Sequence, residues 1–180
     1  MQLEGTRISG VWLVRLDLKR DERGYFARTF DRSVFTSLGI DPAVDHSAVS
    51  WNVRRGTVRG MHLQREPYGE TKLVRCSAGA IFDVAVDLRR ESPTFGQWEG
   101  FELTARGDRM LCLPPGVAHG FQTLADDTEV TYVISTAYQP EASTGVRWDD
   151  AEVAVRWPLQ VTSISERDQA LPPLAAWRAA

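Results

Sequence analysis

Two short stretches of this 180-residue chain hold residues that can move protons. GTVRGMHLQREPYGETK, from Gly56 to Lys72, sets one histidine, two arginines and a lysine around a mostly apolar segment punctuated by glycine. LPPGVAHGF, from Leu113 to Phe121, sets another histidine behind a Pro/Gly turn. The chain has three histidines, His46, His62 and His119. A histidine titrates near neutrality, so one placed on a strand can act as a general base. It needs a carboxylate to fix its tautomer and stabilise its cation, and Asp83 and Asp168 are the candidates. Lys72, if it points inward, can stabilise an oxyanion. Tyr132, in VTYVIS, can donate a proton in a wet site. Each has a plainer reading when taken singly: an interior histidine with a satisfied ring, a solvated strand-end lysine, a packed tyrosine with one bonded hydroxyl.

The spacing bears on metal chemistry. Many double-stranded barrels of the cupin type carry glycine, five residues, then His-x-His, followed later by Pro-x-Gly-x-x-His. Gly56 and His62 keep the first spacing, and Pro114 to His119 keeps the second. The position of the second His is Gln64. A neutral amide is a poor ligand for a transition metal, and two histidines alone leave too few strong donors. The expectation is a cupin-like barrel with no metal centre, in which His62 and His119 are free for acid–base work.

The elements that must position these residues are mostly strands. Val11–Leu18 reads as a strand, Asp21 to Gly24 as a turn, and Tyr25–Phe30 as extended chain. Ser33–Leu38 suits one or two helical turns, capped by Asp31 and stopped at Gly39, before Asp41-Pro42 breaks the chain. In Ala80–Leu88, alternation puts Phe82, Val84, Val86 and Leu88 on one face, and Ile81, Asp83, Ala85 and Asp87 on the other. Trp98–Thr104, Arg109–Leu113, Glu129–Thr136 and a short Val153–Trp157 complete the strands. SERDQAL, from Ser165, reads as a last helical turn that stops at Pro172-Pro173. Short strands at regular spacing, with Gly/Pro/Asp turns, predict a mainly β sandwich or barrel with a few short helices; the cupin motif spacing narrows this to a double-stranded β-helix, a cupin-like jelly-roll barrel. Strict alternation sets one problem. It places His62 and Gln64 on one face and Arg59 on the other, so both His62 and Arg59 reach one pocket only if Gly60 marks a bulge or bend.

Composition narrows the classes. At 43% hydrophobic and 25% charged the chain reads as one globular domain, residues 1–180. A net charge of -3 argues against general nucleic-acid binding. No apolar run approaches a membrane span, and the start lacks a signal-peptide pattern, so a cytoplasmic protein is expected. Cys76 and Cys112 lie inside apolar strand-like runs without zinc or redox spacing, and read as buried thiols.

The chain resembles the dTDP-4-dehydrorhamnose 3,5-epimerase family of sugar-nucleotide epimerases. The resemblance rests on RGYFARTF, RRGTVRGMHLQ, TKLVRCSAGAIFDVAVDLRRESPTFGQW, LPPGVAHGFQTL, EVTYVISTAY, GVRWDD and ISERD, in that order. It implies a homodimeric cupin-like barrel that needs no cofactor and acts on a nucleotide-linked 4-keto-6-deoxy sugar. It also implies roles: His62 as base with Asp168 orienting it, Lys72 stabilising the enolate oxygen, and Tyr132 donating the proton on the other face. Arg23, Arg59 and His119 match substrate-contacting positions, and Lys72 and Asp83 are expected among the substrate-binding residues as well. Arg167 replaces a lysine found before the aspartate in some members, and Tyr138 matches a tyrosine that stacks on the base.

The chain also departs from the family pattern. The best-known members carry Gln-x-Asn before the central strand, where this chain reads HSAVSWN, His46 to Asn52. Some carry a glutamate at the position of Arg28, and an acidic residue whose nearest equivalent here is Ser143. These are contact positions, so the departures bear on which nucleotide and sugar are bound, and on inversion at C3 alone or at C3 and C5. Two alternatives fit the same residues: a 3,4-ketoisomerase using similar proton chemistry, and a non-catalytic barrel that binds sugar nucleotides.

Overall fold

A computed structural model describes residues 1–37, 39–40 and 43–179. The strands are β1 (Gln2–Gly5), β2 (Trp12–Arg15), β3 (Lys19–Asp21), β4 (Gly24–Phe26), β5 (His46–Asn52), β6 (Val58–Gln64), β7 (Lys72–Ala78), β8 (Ala80–Asp87), β9 (Trp98–Thr104), β10 (Arg109–Leu113), β11 (Val117–Thr123), β12 (Thr128–Ile134) and β13 (Ser143–Gly145). The helices are α1 (Arg32–Ser37), α2 (Glu166–Gln169) and α3 (Leu174–Ala179). Six strands form one antiparallel sheet in the order β1-β2-β10-β7-β12-β5, and five form a second in the order β13-β6-β11-β8-β9. β3 and β4 make a separate hairpin. This is a cupin-like jelly roll, as the spacing of the glycine and histidine motifs predicts.

The alternation in β8 explains the layering. Ile81 and Ala85 join Val74, Leu111, Phe121 and Val130 in the core between the two sheets. Val84, Val86 and Leu88 point the other way, into a second apolar layer with Met61, Val146, Val153 and Leu174. Leu16, Phe35 and Leu73 form a third cluster, in which α1 meets the six-stranded sheet. At the end of β8, the fully buried Asp87 accepts from the Arg89 backbone amide and guanidinium, Ser92 Oγ and Thr94 Oγ1. Those bonds fix the ESPT turn that leads into β9.

The bulge that the site requires is present. His119 pairs with His62 and Phe121 with Arg59, so three steps on β6 oppose two on β11. The extra residue falls at Gly60–Met61, a peptide that is cis, as is Glu66–Pro67. It turns Arg59 and His62 to the same side.

Several expectations change. Val153–Trp157 is not a strand. Asp150 Oδ1 accepts from the amides of Glu152 and Val153, and Ala154 adopts φ 52°, which folds the segment into a turn instead. The late strand is β13, paired with β6. Pro172-Pro173 does not end the structure but introduces α3, whose first residue, Leu174, is buried and bonded through its amide to Asp150 Oδ2. Extended pairing after Tyr25 stops at Phe26. α1 begins as expected, with Asp31 Oδ1 accepting from the Ser33 amide. Leu38 and the Asp41-Pro42 break lie outside the described residues.

Candidate active site

Between the sheets lies a cavity of about 260 Å³ lined by Ala48, Ser50, Arg59, His62, Lys72, His119, Phe121, Tyr132 and Ile134. Its two walls come from different sheets. Arg59 and His62 on β6, with His119 and Phe121 on β11, form one wall. Lys72 on β7, Tyr132 and Ile134 on β12, and Ala48 and Ser50 on β5 form the other.

Each cavity histidine has its own aspartate. His62 Nε2 lies 2.6 Å from Asp168 Oδ1, and His119 Nε2 lies 2.6 Å from Asp83 Oδ1. Asp168 comes from α2, where its amide bonds to the capping Ser165 Oγ at 3.1 Å. Its second oxygen accepts from the Gly60 amide at 3.0 Å, so the bulge also anchors the dyad. Burial pushes the Asp168 carboxyl upward, but the His62 bond and charge, the Gly60 amide and Ser165 together hold it below the ordinary aspartate range. Asp168 is therefore ionised at neutral pH. The shared proton then belongs on His62 Nε2, leaving Nδ1 with a free lone pair.

This arrangement gives a stability prediction. A carboxylate lowered in the folded state stabilises fully above its unfolded value, about pH 4, and loses that contribution as pH falls through the folded value. Asp168 is one such group and Asp87 is another, with burial opposed by its Arg89, Ser92 and Thr94 bonds. Thermal melts stepped downward from about pH 5 are expected to show Tm dropping, with a shallower drop in Asp168→Asn. An identical acid slope in that variant counts against the assignment.

On the opposite wall, burial pushes the Tyr132 hydroxyl well above the ordinary phenol range; the Asp83 charge adds to this and Arg59 opposes it. The phenol is a neutral donor at working pH. Its ring meets His119 edge-on, with centroids 6.0 Å apart. The Lys72 ammonium donates to the His62 carbonyl at 3.3 Å and pairs with Glu70 at 2.8 Å.

Not every expected contact residue reaches this cavity. Asp83 is fully buried behind His119, so the expectation that it touches substrate gives way to a partner acting through that ring. Arg23 is exposed on the β3–β4 turn and paired with Asp21. Arg167 donates to Ser143 Oγ at 2.7 Å, and Tyr138 is exposed; neither lines the cavity. Gln64 donates to the Tyr68 and Ala137 carbonyls and accepts from the Gln139 amide, tying loops together outside the cavity.

Sequence reading missed Glu70 and Asn52. Asn52 Oδ1 accepts from Arg59 Nε at 2.7 Å and so aims the guanidinium. Nothing in its local sequence signals this. Glu70 stands two residues before Lys72, a spacing that puts both on one side of extended chain, and that signal was available. The altered segment HSAVSWN is β5 itself, and it presents Ala48 and Ser50 to the cavity. A larger cavity of about 550 Å³ lies beside Trp12, Pro114 and Thr136. Its ionisable lining group is Cys112, whose thiol burial pushes up to about 12; the histidines, the tyrosine and the lysine gather in the smaller cavity.

A cupin-like barrel holding two histidine–aspartate pairs opposite a tyrosine and a lysine defines a class of proton-transfer barrels. Residues 5–176 match the family model for dTDP-4-dehydrorhamnose 3,5-epimerase. A dTDP-4-dehydrorhamnose 3,5-epimerase of Methanothermobacter thermautotrophicus is 41% identical over 94% of this chain and 92% of its own length. A dTDP-4-dehydrorhamnose 3-epimerase of Streptomyces niveus is 38% identical over 94% and 82%. The crystal structure of a dTDP-4-dehydrorhamnose 3,5-epimerase from Bacillus anthracis, with TDP and PPi bound, superimposes with a TM-score of 0.92 at 38% identity, covering 96% of this chain and 98% of that one. The chain belongs to the dTDP-4-dehydrorhamnose 3,5-epimerase family.

Proposed function

We propose that the protein epimerises a nucleotide-linked 4-keto-6-deoxyhexose, with dTDP as the nucleotide, at C3, at C5 or at both. The observation that carries this reading is the placement of a base on one wall of the cavity and a neutral acid on the other. A 4-keto group acidifies the hydrogens on C3 and C5. His62 Nδ1 takes one of these as a proton, the C–H electrons form the enolate double bond, and the carbonyl electrons move to oxygen. Asp168 stabilises the imidazolium, and Lys72 stabilises the enolate oxygen. The enolate then reforms the carbonyl by taking the Tyr132 proton on its opposite face, which inverts the centre. Solvent reprotonates the phenolate and accepts the proton from His62, so the net change is isomerisation. Arg59 suits a phosphate oxygen. No metal or organic cofactor enters these steps.

The test is incubation with dTDP-4-keto-6-deoxyglucose in deuterated water, followed by NMR. Deuterium entering C3 or C5 supports the reading and shows which centre inverts. No exchange with any 4-keto sugar nucleotide overturns it. Carbonyl migration to C3 identifies a ketoisomerase, and tight binding without exchange identifies a binding barrel.

We further propose a homodimer. β5 is an edge strand whose outward face exposes Val49 and Trp51, with Val53 following, and Phe26 is exposed on the β3–β4 hairpin. A second copy on that face covers the edge and gives the hairpin, with Arg23, a site in the partner to reach. Trp51→Glu is expected to sediment as a monomer where the parent sediments as a dimer; a monomeric parent removes the proposal. The likeness to this family and two buried free thiols support a cytoplasmic setting, and among the described residues no helix is long and apolar enough to cross a membrane.

A further inference from the structure

We propose that Glu70 is a positioning residue, one that aims the Lys72 ammonium at the substrate carbonyl; this rests on the epimerase reading above. An ammonium has three N–H donors and no acceptor. Two are taken by the protein: Glu70 Oε1 at 2.8 Å and the His62 carbonyl at 3.3 Å. The third is left for the cavity, which Lys72 lines. A lysine stem has four rotatable bonds, so without fixed acceptors its charge wanders over several ångströms.

The two acceptors hold the ammonium from different directions. The His62 carbonyl belongs to β6, in the sheet opposite Lys72. Glu70 belongs to the segment leading into β7, and the Thr71 amide and carbonyl there bond to Ser135 Oγ and the Ser135 amide. Glu70 is thus held by backbone on the Lys72 side while its carboxylate reaches the ammonium. The Glu70 side chain is 9% exposed and that of Lys72 12%, so the pair is largely withdrawn from solvent. Glu70 itself does not line the cavity, and its effect on substrate passes through Lys72.

A group placed to meet charge that develops on the enolate oxygen acts on the transition state more than on the bound ketone. Loss of its aim therefore belongs in kcat. A displacement of about 1 Å can cost on the order of 100-fold in rate. Glu70→Ala removes the acceptor and is expected to lower kcat for solvent exchange by about 10- to 100-fold, with KM changed by less than about 3-fold. Glu70→Gln keeps an acceptor oxygen of the same reach and is expected to recover most of the loss. Both variants are to be checked by thermal melting, since a merely structural role lowers Tm without separating kcat from KM. Wild-type kcat in Glu70→Ala, a loss confined to KM, or a Glu70→Gln as impaired as Glu70→Ala each overturns the proposal.

Crystal structures of the parent and Glu70→Ala give a readout independent of turnover. The ammonium is expected to leave its place beside the His62 carbonyl in the variant. An unmoved Nζ overturns the positioning role. Absence of exchange in the parent protein, by contrast, overturns the epimerase reading and leaves the Nζ comparison to decide the role of Glu70.

Discussion

Replacing His62 by alanine is expected to slow solvent exchange at C3 and C5 by about 1000-fold or more, near the upper part of what a positioned base contributes. The second histidine does not substitute for it. The His119 ring is buried with its Nε2 bonded to Asp83 and packs against Tyr132, whereas the His62 ring is a third exposed and opens to the cavity. Substrate affinity is expected to change far less, because Arg59 remains fixed by Asn52 and Lys72 by Glu70. Truncation also leaves Asp168 Oδ1 without its partner in a buried setting, at a cost of about 1–3 kcal/mol in stability. His62→Gln separates the two effects. Its amide has the reach of the imidazole Nε2, so it can still donate to Asp168 and hold α2 in place, but it cannot accept the proton. It is expected to melt near the parent temperature and to exchange as poorly as His62→Ala. Exchange at the parent rate in His62→Gln removes His62 from the role of base. Tyr132→Phe gives the complementary result: deuterium still enters from the His62 side while inversion is lost.

Gly60→Ala is expected to destabilise the protein by about 3 kcal/mol or more, the sum of severe overpacking and an unfavourable backbone conformation. A Cβ there would sit 2.6 Å from the His119 carbonyl oxygen and 2.7 Å from the Gly120 Cα, at a backbone φ of 109°. Both neighbours are main chain, so relief requires β6 and β11 to part. That separation breaks the His62–His119 register and pulls the Gly60 amide from Asp168. Loss of exchange activity should therefore accompany the loss of stability. Gly24→Ala provides the contrast: φ is 130°, yet nothing lies within 4 Å of the added carbon. It carries backbone strain without a clash, about 1–2 kcal/mol. Urea denaturation measures both as shifts of midpoint at constant slope. Equal shifts for the two variants would show that the close approach at Gly60 costs nothing.

Much of the site was legible because its chemistry needs rare residue types. Three histidines, two of them beside glycines in strand-like text, left few choices for a base, and Asp168 stood out in ISERD. The bulge at Gly60 could be required in advance, since without it Arg59 and His62 point apart. Other features left no local trace. Asn52 and Arg59 meet because the connection after β5 carries the chain across to β6 in the facing sheet, a fact of tertiary folding. Val153 to Trp157 has the apolar content of a strand, but it follows Asp150, whose carboxylate caps a turn and also holds α3. β13 is three residues long and pairs only because β6 offers an edge. Arg23 and Tyr138 match family contact positions, yet within one chain neither lines the cavity, which a sequence comparison has no means to register.

The base and the acid stand on different sheets, and face-to-face sheets pack about 10 Å apart. That spacing works as a thickness gauge: on the proposed reading a single pyranose fits between the walls, one ring face toward each, and the nucleoside end extends beyond them. On the proposed reading, selection for the nucleotide falls to groups outside the cavity, Arg23, Tyr138 and Arg167 among the expected ones, while the proton chemistry stays enclosed. The two can diverge separately, and a change of nucleotide or pathway need not disturb the inversion step.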